Sequence, residues 1–383
     1  MRRGNLRPGT ARIRSVSSAN RKPRQEEKIT AEAEAATPEA AANEAGLRYV
    51  NDEQAGYTRQ RRGKKFVYFD IDGKEIRDEV RILRLDRLAI PPAYTEVWIC
   101  PSSNGHLQAT GRDDRGRKQY RYHDRWREVR DENKFERIIV FAKTLPKLRR
   151  RVQRDLKLRG LAREKVLATL VQLLERTFIR VGNEEYAKDN NSFGLTTLRN
   201  RHVQVRGANL RFRFRGKSGK EHDIPIEDRR IALIVKKLQE LPGQDIFQYL
   251  DESGERRQVT SEDVNQYLRS IAGDAFTAKD FRTWAGTVLT SIALKELKPF
   301  ENITEAKNNL KLAINAVAKI LGNTATICRK CYVHPVVVSS YLEGTLVGSL
   351  MNQTKRTVSQ GGKGLRLEEL NVLRLLQSRL PKK

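Results

Sequence analysis

The spacing of apolar positions changes character along this chain. From Leu47 to about Asp131, short apolar runs are broken by turn residues. Lys65-Phe66-Val67-Tyr68-Phe69-Asp70-Ile71 leads into Asp72-Gly73, a dipeptide suited to a hairpin turn. Val97-Trp98-Ile99-Cys100 and His106-Leu107-Gln108-Ala109-Thr110 flank the polar stretch 101–105 and predict a second hairpin, with Pro91-Pro92 as punctuation between the two. Residues 47–131 therefore read as a small β-rich domain.

Beyond it the period lengthens. Val166, Leu167, Leu170, Val171, Leu174, Phe178 and Ile179 recur at three- and four-residue steps, the mark of a helix with one buried face. Ile231, Ile234 and Leu238 repeat the pattern, and Leu241-Pro242-Gly243 stops it. Thr260-x-x-Asp263 and Thr277-x-x-Asp280 have the form of capping boxes opening further helices. One interlude of period two interrupts the helices between Arg201 and Ile226. Leu210, Phe212 and Phe214 alternate there with Arg211, Arg213 and Arg215, between turns at 207–209 and 216–219. A three-stranded meander with an apolar and a cationic face is predicted. The fold class is α+β: a β-rich domain over 47–131, then a mainly α-helical one over 132–383 that contains the meander.

Composition adds an arm and a partner. Residues 1–24 carry Arg2, Arg3, Arg7, Arg12, Arg14, Arg21, Lys22 and Arg24 and no acid, and residues 29–46 turn to Ala and Glu. Neither piece buries enough apolar surface to offset its ordering entropy, so 1–46 reads as a disordered arm. Over 383 residues, 75 Lys and Arg against 47 Asp and Glu leave a net charge of +28, which calls for a polyanion. Nucleic acid is the first candidate; an anionic membrane surface or a ribosome is the second. No stretch approaches the length of a membrane span, and no apolar segment follows the basic N-terminus, so neither a spanning protein nor a secretory signal is expected. Cys100, Cys328 and Cys331 cannot form a disulfide framework and point to a reducing compartment.

Several motifs fail on inspection. Gly216-Lys217-Ser218 resembles the end of a phosphate-binding loop, but Arg211 stands where its first glycine belongs. Asp70-x-Asp72-Gly73 lacks the further ligands of a calcium loop. Cys328-x-x-Cys331 lacks a second pair for zinc, and two thiols on one helix face explain it. No carboxylate cluster suits two-metal phosphoryl chemistry.

What remains is cations on short ordered segments: Arg180 at the end of an apolar helix, Lys217 at the meander's turn, and Arg282 in the first turns of a capped helix. Each alone reads as a solvated basic residue. Together they match the needs of metal-free phosphodiester cleavage, in which guanidinium groups neutralise the non-bridging oxygens and a proton donor serves the leaving oxygen. Tyr332 is the candidate nucleophile, with Arg329 and Lys330 beside it favouring the phenolate.

The segments that carry these residues resemble, in order, those of type IB DNA topoisomerases of the poxvirus-like bacterial branch. The matching stretches are Gly116-Arg117-Lys118-Gln119-Tyr120-Arg121-Tyr122-His123, Phe178-Ile179-Arg180-Val181-Gly182-Asn183-Glu184, Gly194-Leu195-Thr196-Thr197-Leu198, Phe214-Arg215-Gly216-Lys217-Ser218-Gly219-Lys220, Lys279-Asp280-Phe281-Arg282-Thr283, and Leu321-Gly322-Asn323-Thr324 through Tyr332. The resemblance spans roughly residues 47–380 and implies a C-shaped clamp around duplex DNA. It implies that Tyr332 attacks the scissile phosphate to form a 3′-phosphotyrosine, that Arg180 and Arg282 grip the transition state, and that Lys217 is the general acid, its pKa lowered among arginines. Asn323 stands where related enzymes usually carry histidine and is expected to hydrogen-bond a phosphate oxygen without an acid–base role. Arg117, Lys118, Gln119, Tyr120 and Tyr122 are the expected DNA contacts. The resemblance further implies a monomer in the bacterial cytoplasm or nucleoid, relaxing supercoiled DNA by strand swivelling, with neither ATP nor a metal as cofactor.

Two rivals remain open at this level. A tyrosine recombinase shares the Arg-Lys-Arg-Tyr chemistry, but Lys279-Asp280-Phe281-Arg282-Thr283 lacks the histidines usual around its second arginine. A non-catalytic basic DNA-binding protein is the other.

Overall fold

Two strands joined through Gly63 begin the β-rich part of the computed structural model, which describes residues 38–350 and 364–379 apart from 64, 115, 252, 274, 275 and 349. The reading of residues 1–37 as an arm lies outside these. Residues 38–46 belong to the fold: α1 (Pro38–Glu44) and the turn after it bury Ala42, Ala45 and Leu47 against Trp126. An Ala-rich segment with almost no apolar bulk is ordered because a tryptophan elsewhere supplies the missing surface.

Strands β1 (Tyr57–Arg62) and β2 (Lys65–Phe69) pair antiparallel. The Asp72-Gly73 turn forms, with Asp70 Oδ1 accepting from the amides of Asp72 and Lys74 at 3.0 and 2.8 Å. It leads only to a single bridge between Phe69 and Glu75, so the ladder partner of β2 precedes it. The chain instead enters α2 (Glu79–Arg87), a helix that the strand-like reading did not anticipate. Asp78 caps it by accepting from the Arg81 amide at 2.7 Å, and Leu85 from its inner face joins Tyr68, Ile76, Val97 and Ile99 in a small core. Strands β3 (Thr95–Ile99) and β4 (Leu107–Arg112) form the second expected hairpin. With β5 (Lys118–Tyr122) they complete an antiparallel sheet of order β2-β1-β3-β4-β5.

Helix α3 (Asp124–Asp155) then runs for 32 residues, about 48 Å, from the sheet into the helical region. It passes straight through 131/132, where sequence pattern placed a boundary. Helices α4 (Arg163–Thr177) and α5 (Glu184–Asn190) follow, then the meander β6 (Val203–Arg206), β7 (Asn209–Arg215) and β8 (Glu221–Glu227). As expected from the alternation, Leu210, Phe212 and Phe214 are buried while Arg211, Arg213 and Arg215 are exposed. After α6 (Arg229–Gln239) and the short pair β9 (Gln248–Leu250) and β10 (Arg256–Gln258), the remaining helices are α7 (Ser261–Ala272), α8 (Ala278–Glu296), α9 (Ile303–Leu321), α10 (Ala325–Tyr332), α11 (Pro335–Leu342) and α12 (Leu367–Arg379). Both capping boxes form: the Thr260 amide donates to Asp263 at 2.9 Å and the Thr277 amide to Asp280 at 2.8 Å. The architecture is mixed helix and antiparallel sheet.

Helix α8 lies at the centre of the larger core. Phe281, Trp284, Ala285, Val288 and Leu294 are buried on it, and so are Thr287, Thr290 and Ser291, the pattern of a helix enclosed on nearly all sides. Next to it, Arg149 of α3 binds Glu175 and Glu369 at 2.7 Å each, and Trp284 donates to Glu369 at 3.3 Å. Burial pushes the Glu369 carboxyl up, but hydrogen bonds and charge from Arg149 outweigh it and hold the pKa below the ordinary value. The stabilisation is therefore present at neutral pH and lost as pH falls through that lowered value. Replacing Glu369 by Gln should cost ~3 kcal/mol in urea denaturation at neutral pH, and the gap to wild type should close in acid.

Candidate active site

Arg282 is the residue around which the site assembles. Position 282 lies on the second turn of α8, and its side chain is 5% exposed. A buried guanidinium must place its donors. One terminal nitrogen donates to the carbonyl of Phe178, and the other donates to that of Leu321 at 2.6 Å. These carbonyls belong to the C-terminal ends of α4 and α9, where unsatisfied carbonyls carry the negative end of the helix dipole. Two helix ends therefore hold the cation, and its Nε keeps no partner.

Each helix end then turns sharply. Phe178 adopts φ 56° and Gly322 φ 61°, both left-handed. A phenylalanine there is strained, and such strain persists only where its surroundings impose it. Two residues beyond the first carbonyl stands Arg180; two beyond the second stands Asn323. Arg180 Nη2 donates to Asn323 Oδ1 at 2.6 Å. A guanidinium only donates, so the amide oxygen faces it and Nδ2 is left over, buried and without a partner. The loop that carries Arg180 is held by residues 194–197: the amides of Leu195 and Thr196 donate to the carbonyls of Arg180 and Val181 at 2.9 and 2.7 Å. A Cβ on Gly194 would lie 2.6 Å from Gly182, which explains the glycines on both sides. The helix expected to reach Arg180 ends at Thr177, so a loop, not a helix, presents this side chain.

Tyr332 closes α10, half buried, with its ring centroid 5.2 Å from the Arg282 guanidinium. Burial, then Arg180, lower the pKa of Arg282, while the Tyr332 phenol pulls it back up. The backbone of Tyr332 is clamped against α8. Its carbonyl accepts from the Thr287 hydroxyl at 3.1 Å, and a Cβ on Gly286 would stand 2.6 Å from that same oxygen. Lys134 of α3 donates to the neighbouring Cys331 carbonyl and lies 5.9 Å over the Tyr332 ring. Arg329 and Lys330, expected beside the phenol, are exposed and line a separate groove with Lys307 and Lys311. For Lys330, two positions before Tyr332, helical geometry accounts for this, because side chains two apart point to different sides of the cylinder; Arg329, three positions before it, lies on a neighbouring part of the surface and lines the groove.

Lys217 is exposed on the β7–β8 turn, in which Ser218 and Gly219 take φ 63° and 74°. With Arg180, Arg282 and Tyr332 it lines one cleft of about 970 Å³. Arg117, Lys118 and Gln119 form part of the wall of this cleft; Tyr120 and Tyr122 do not line it. Arg117 and Gln119 both bind Asp113, at 2.7 and 2.9 Å, and Lys118 binds Asp52 at 2.6 Å. Tyr120 is exposed and stacks on Tyr122, with centroids 6.1 Å apart. Acidic α5 faces this wall, with Glu185 3.9 Å from Arg112. Among the described residues, no carboxylate binds Arg180 or Arg282, and no three metal-ligating side chains cluster. Burial raises the Cys328 thiol to about 11 and lowers His334 to about 4.

Lys134, Gly286 and Thr287 escaped the sequence reading. Gly286 had a legible signal, a glycine inside an otherwise helical pattern, which often marks a close approach. Lys134 had none.

Comparison with known proteins points to one family. Residues 123–357 match the family model for the catalytic core of eukaryotic DNA topoisomerase I, and residues 65–113 that for the N-terminal domain of bacterial DNA topoisomerase IB. The chain is 33% identical over 294 residues to DNA topoisomerase 1B of Acanthamoeba polyphaga mimivirus, covering 75% of this chain and 87% of that protein. It is 24% identical over 266 residues to DNA topoisomerase 1B of vaccinia virus, covering 66% and 80%. A match to DNA topoisomerase 1 of Mycosarcoma maydis, 27% identical, covers 56% of this chain and 23% of the fungal protein.

The contact between α8 and α10 can be tested directly. Gly286→Ala should lower stability by ~1–3 kcal/mol in chemical denaturation, because its methyl group meets the backbone of Tyr332. Gly348→Ala, with nothing within 4 Å of the new Cβ, should leave stability unchanged or slightly higher.

Proposed function

This chain belongs to the type IB DNA topoisomerases, and from that premise we propose that it relaxes supercoiled duplex DNA through a covalent bond to Tyr332. The phenol gives its proton to solvent, and its oxygen attacks the scissile phosphorus. A bond to the 3′-phosphate forms, the bond to the 5′-oxygen breaks, and that oxygen takes a proton from Lys217. The free 5′ end swivels about the intact strand, and the reverse reaction reseals the nick. Because the phosphotyrosine conserves the phosphodiester energy, the cycle consumes no ATP.

The observation that carries this reading is a pair of neighbouring guanidinium groups, one of them buried, with no carboxylate bound to either among the described residues. A protein interior tolerates such a pair when an anion completes it. Two non-bridging phosphate oxygens suit the planar forks of Arg180 and Arg282. The unpartnered Nδ2 of Asn323 supports its role as a donor to the same phosphate, and an amide suffices for that. Charge neutralisation by arginine takes the place of a divalent cation, so the reaction needs no metal.

Duplex DNA occupies the cleft between the sheet and the helical region, in the manner of a C-shaped clamp. Arg117, Lys118 and Gln119 meet the backbone or groove from the cleft wall, and exposed Tyr120, stacked on Tyr122, extends that surface. The enzyme acts as a monomer in the nucleoid; the excess of positive charge makes its binding steeply salt-dependent.

Tyr332→Phe should abolish both plasmid relaxation and the covalent DNA adduct seen on denaturing gels after a detergent stop. Arg180→Ala and Arg282→Ala should each slow single-turnover cleavage by roughly 10²–10³-fold. EDTA should leave the wild-type rate unchanged. Relaxation by Tyr332→Phe, or its loss in EDTA, would overturn the reading.

A further inference from the structure

Among side chains that the mechanism does not use, His222 is placed most tellingly. It lies on β8 directly across the ladder from buried Phe214, and the two rings stack with centroids 4.8 Å apart at 15°. The other sides of the imidazole touch backbone. A Cβ on Gly216 would come within 2.6 Å of its Nε2, and a Cβ on Gly322 within 2.7 Å of its Cε1. Gly216 is the residue before Lys217, and Gly322 is the residue before Asn323. One flat ring therefore fills the space between the loop that carries the proton donor and the loop that carries the phosphate ligand, and both loops have shed their side chains to fit against it. A second link runs parallel to it, since Lys220, just past the turn, donates to the Asn323 carbonyl at 2.9 Å.

We propose that His222 is a positioning residue for the leaving-group proton, a rigid spacer that sets the Lys217 turn at a fixed distance from the phosphate held by Arg180 and Asn323. The need for one follows from the turn itself. Lys217 is exposed and precedes two left-handed residues, so nothing local fixes its height above the cleft. A general acid works only within about 2.6–3.2 Å of the atom it protonates. The ring supplies stiffness without charge: burial, then Arg180, Arg282 and Lys220, lower its pKa, so the imidazole stays neutral among cations.

This inference rests on the reading of Lys217 as general acid, and sulphur at the leaving position tests the two separately. A thiolate departs without a proton, so a duplex with a bridging 5′-sulphur at the scissile phosphate bypasses the acid. Single-turnover cleavage by the full chain would be measured on matched oxygen and sulphur duplexes. Lys217→Ala should be slowed by about 10²-fold or more on oxygen and restored to near wild type on sulphur. His222→Ala should be slowed by about 10-fold or more on oxygen and likewise restored on sulphur, and His222→Phe, which keeps a flat ring, should recover most of the oxygen rate. If Lys217→Ala is restored by sulphur but His222→Ala is slowed equally on both duplexes, or on neither, the spacer role is wrong. If sulphur fails to restore Lys217→Ala, the general-acid assignment itself fails. His222→Phe folded but as slow as His222→Ala on oxygen would also count against a spacer.

Discussion

The site depends on a cation that the fold has taken out of water. Burying a guanidinium costs several kcal/mol unless its donors are met, and here two backbone carbonyls meet the terminal donors of Arg282. Both carbonyls come from helix C-termini, so the dipoles of α4 and α9 share the compensation. That leaves the positive charge only partly answered. The remainder is the site's affinity for an anion, available without any acidic residue that a substrate would have to displace.

The same two hydrogen bonds impose the local geometry. Each carbonyl stands two residues ahead of a phosphate-site side chain, Arg180 in one loop and Asn323 in the other. Left-handed backbone at Phe178 and Gly322 turns each chain so that those side chains meet. Arg282 thus aligns two loops separated by more than a hundred residues of sequence. Helix α3 adds a third constraint. It begins beside the five-stranded sheet, pairs with the N-terminus of α8 through Arg137 and Asp280 at 3.0 Å, and reaches the end of α10 through Lys134. Sheet, guanidinium and tyrosine are braced by one continuous rod.

Much of this was legible before any coordinates. Period two across Leu210–Arg215 and capping boxes at Thr260 and Thr277 are local signals, and local physics suffices to realise them. Residues 79–87 went astray because a short helix with a single buried side chain, Leu85, has too little periodicity to outweigh its strand-like neighbours. Residues 38–46 were misjudged for a related reason: their burial depends on Trp126, and composition counts only a segment's own apolar surface. In the candidate site, Arg180, Lys217, Arg282 and Tyr332 were singled out by residue type and setting and Asn323 by resemblance, and the structure brings them together, whereas their supports were not legible. Arg329 and Lys330 looked like the partners of Tyr332 because they adjoin it in sequence. Lys134, which does reach it, is almost two hundred residues away, and no spacing rule connects the two. Adjacency along a helix is poor evidence of adjacency in space.

Asn323 gives the site a property that a histidine would have denied it. The groups gathered there are two guanidiniums, an amide and the half-buried imidazole of His222, whose pKa is lowered by burial and by neighbouring cations. An amide has no titrating proton, so position 323 adds no charge change in the range where an ordinary imidazole titrates, about pH 6–7. In the proposed reaction, the contribution of position 323 to holding the phosphate therefore does not vary with acidity. Within the proposed mechanism, an amide at this position would offer the same hydrogen bond in acid as at neutral pH, where a histidine would change its charge.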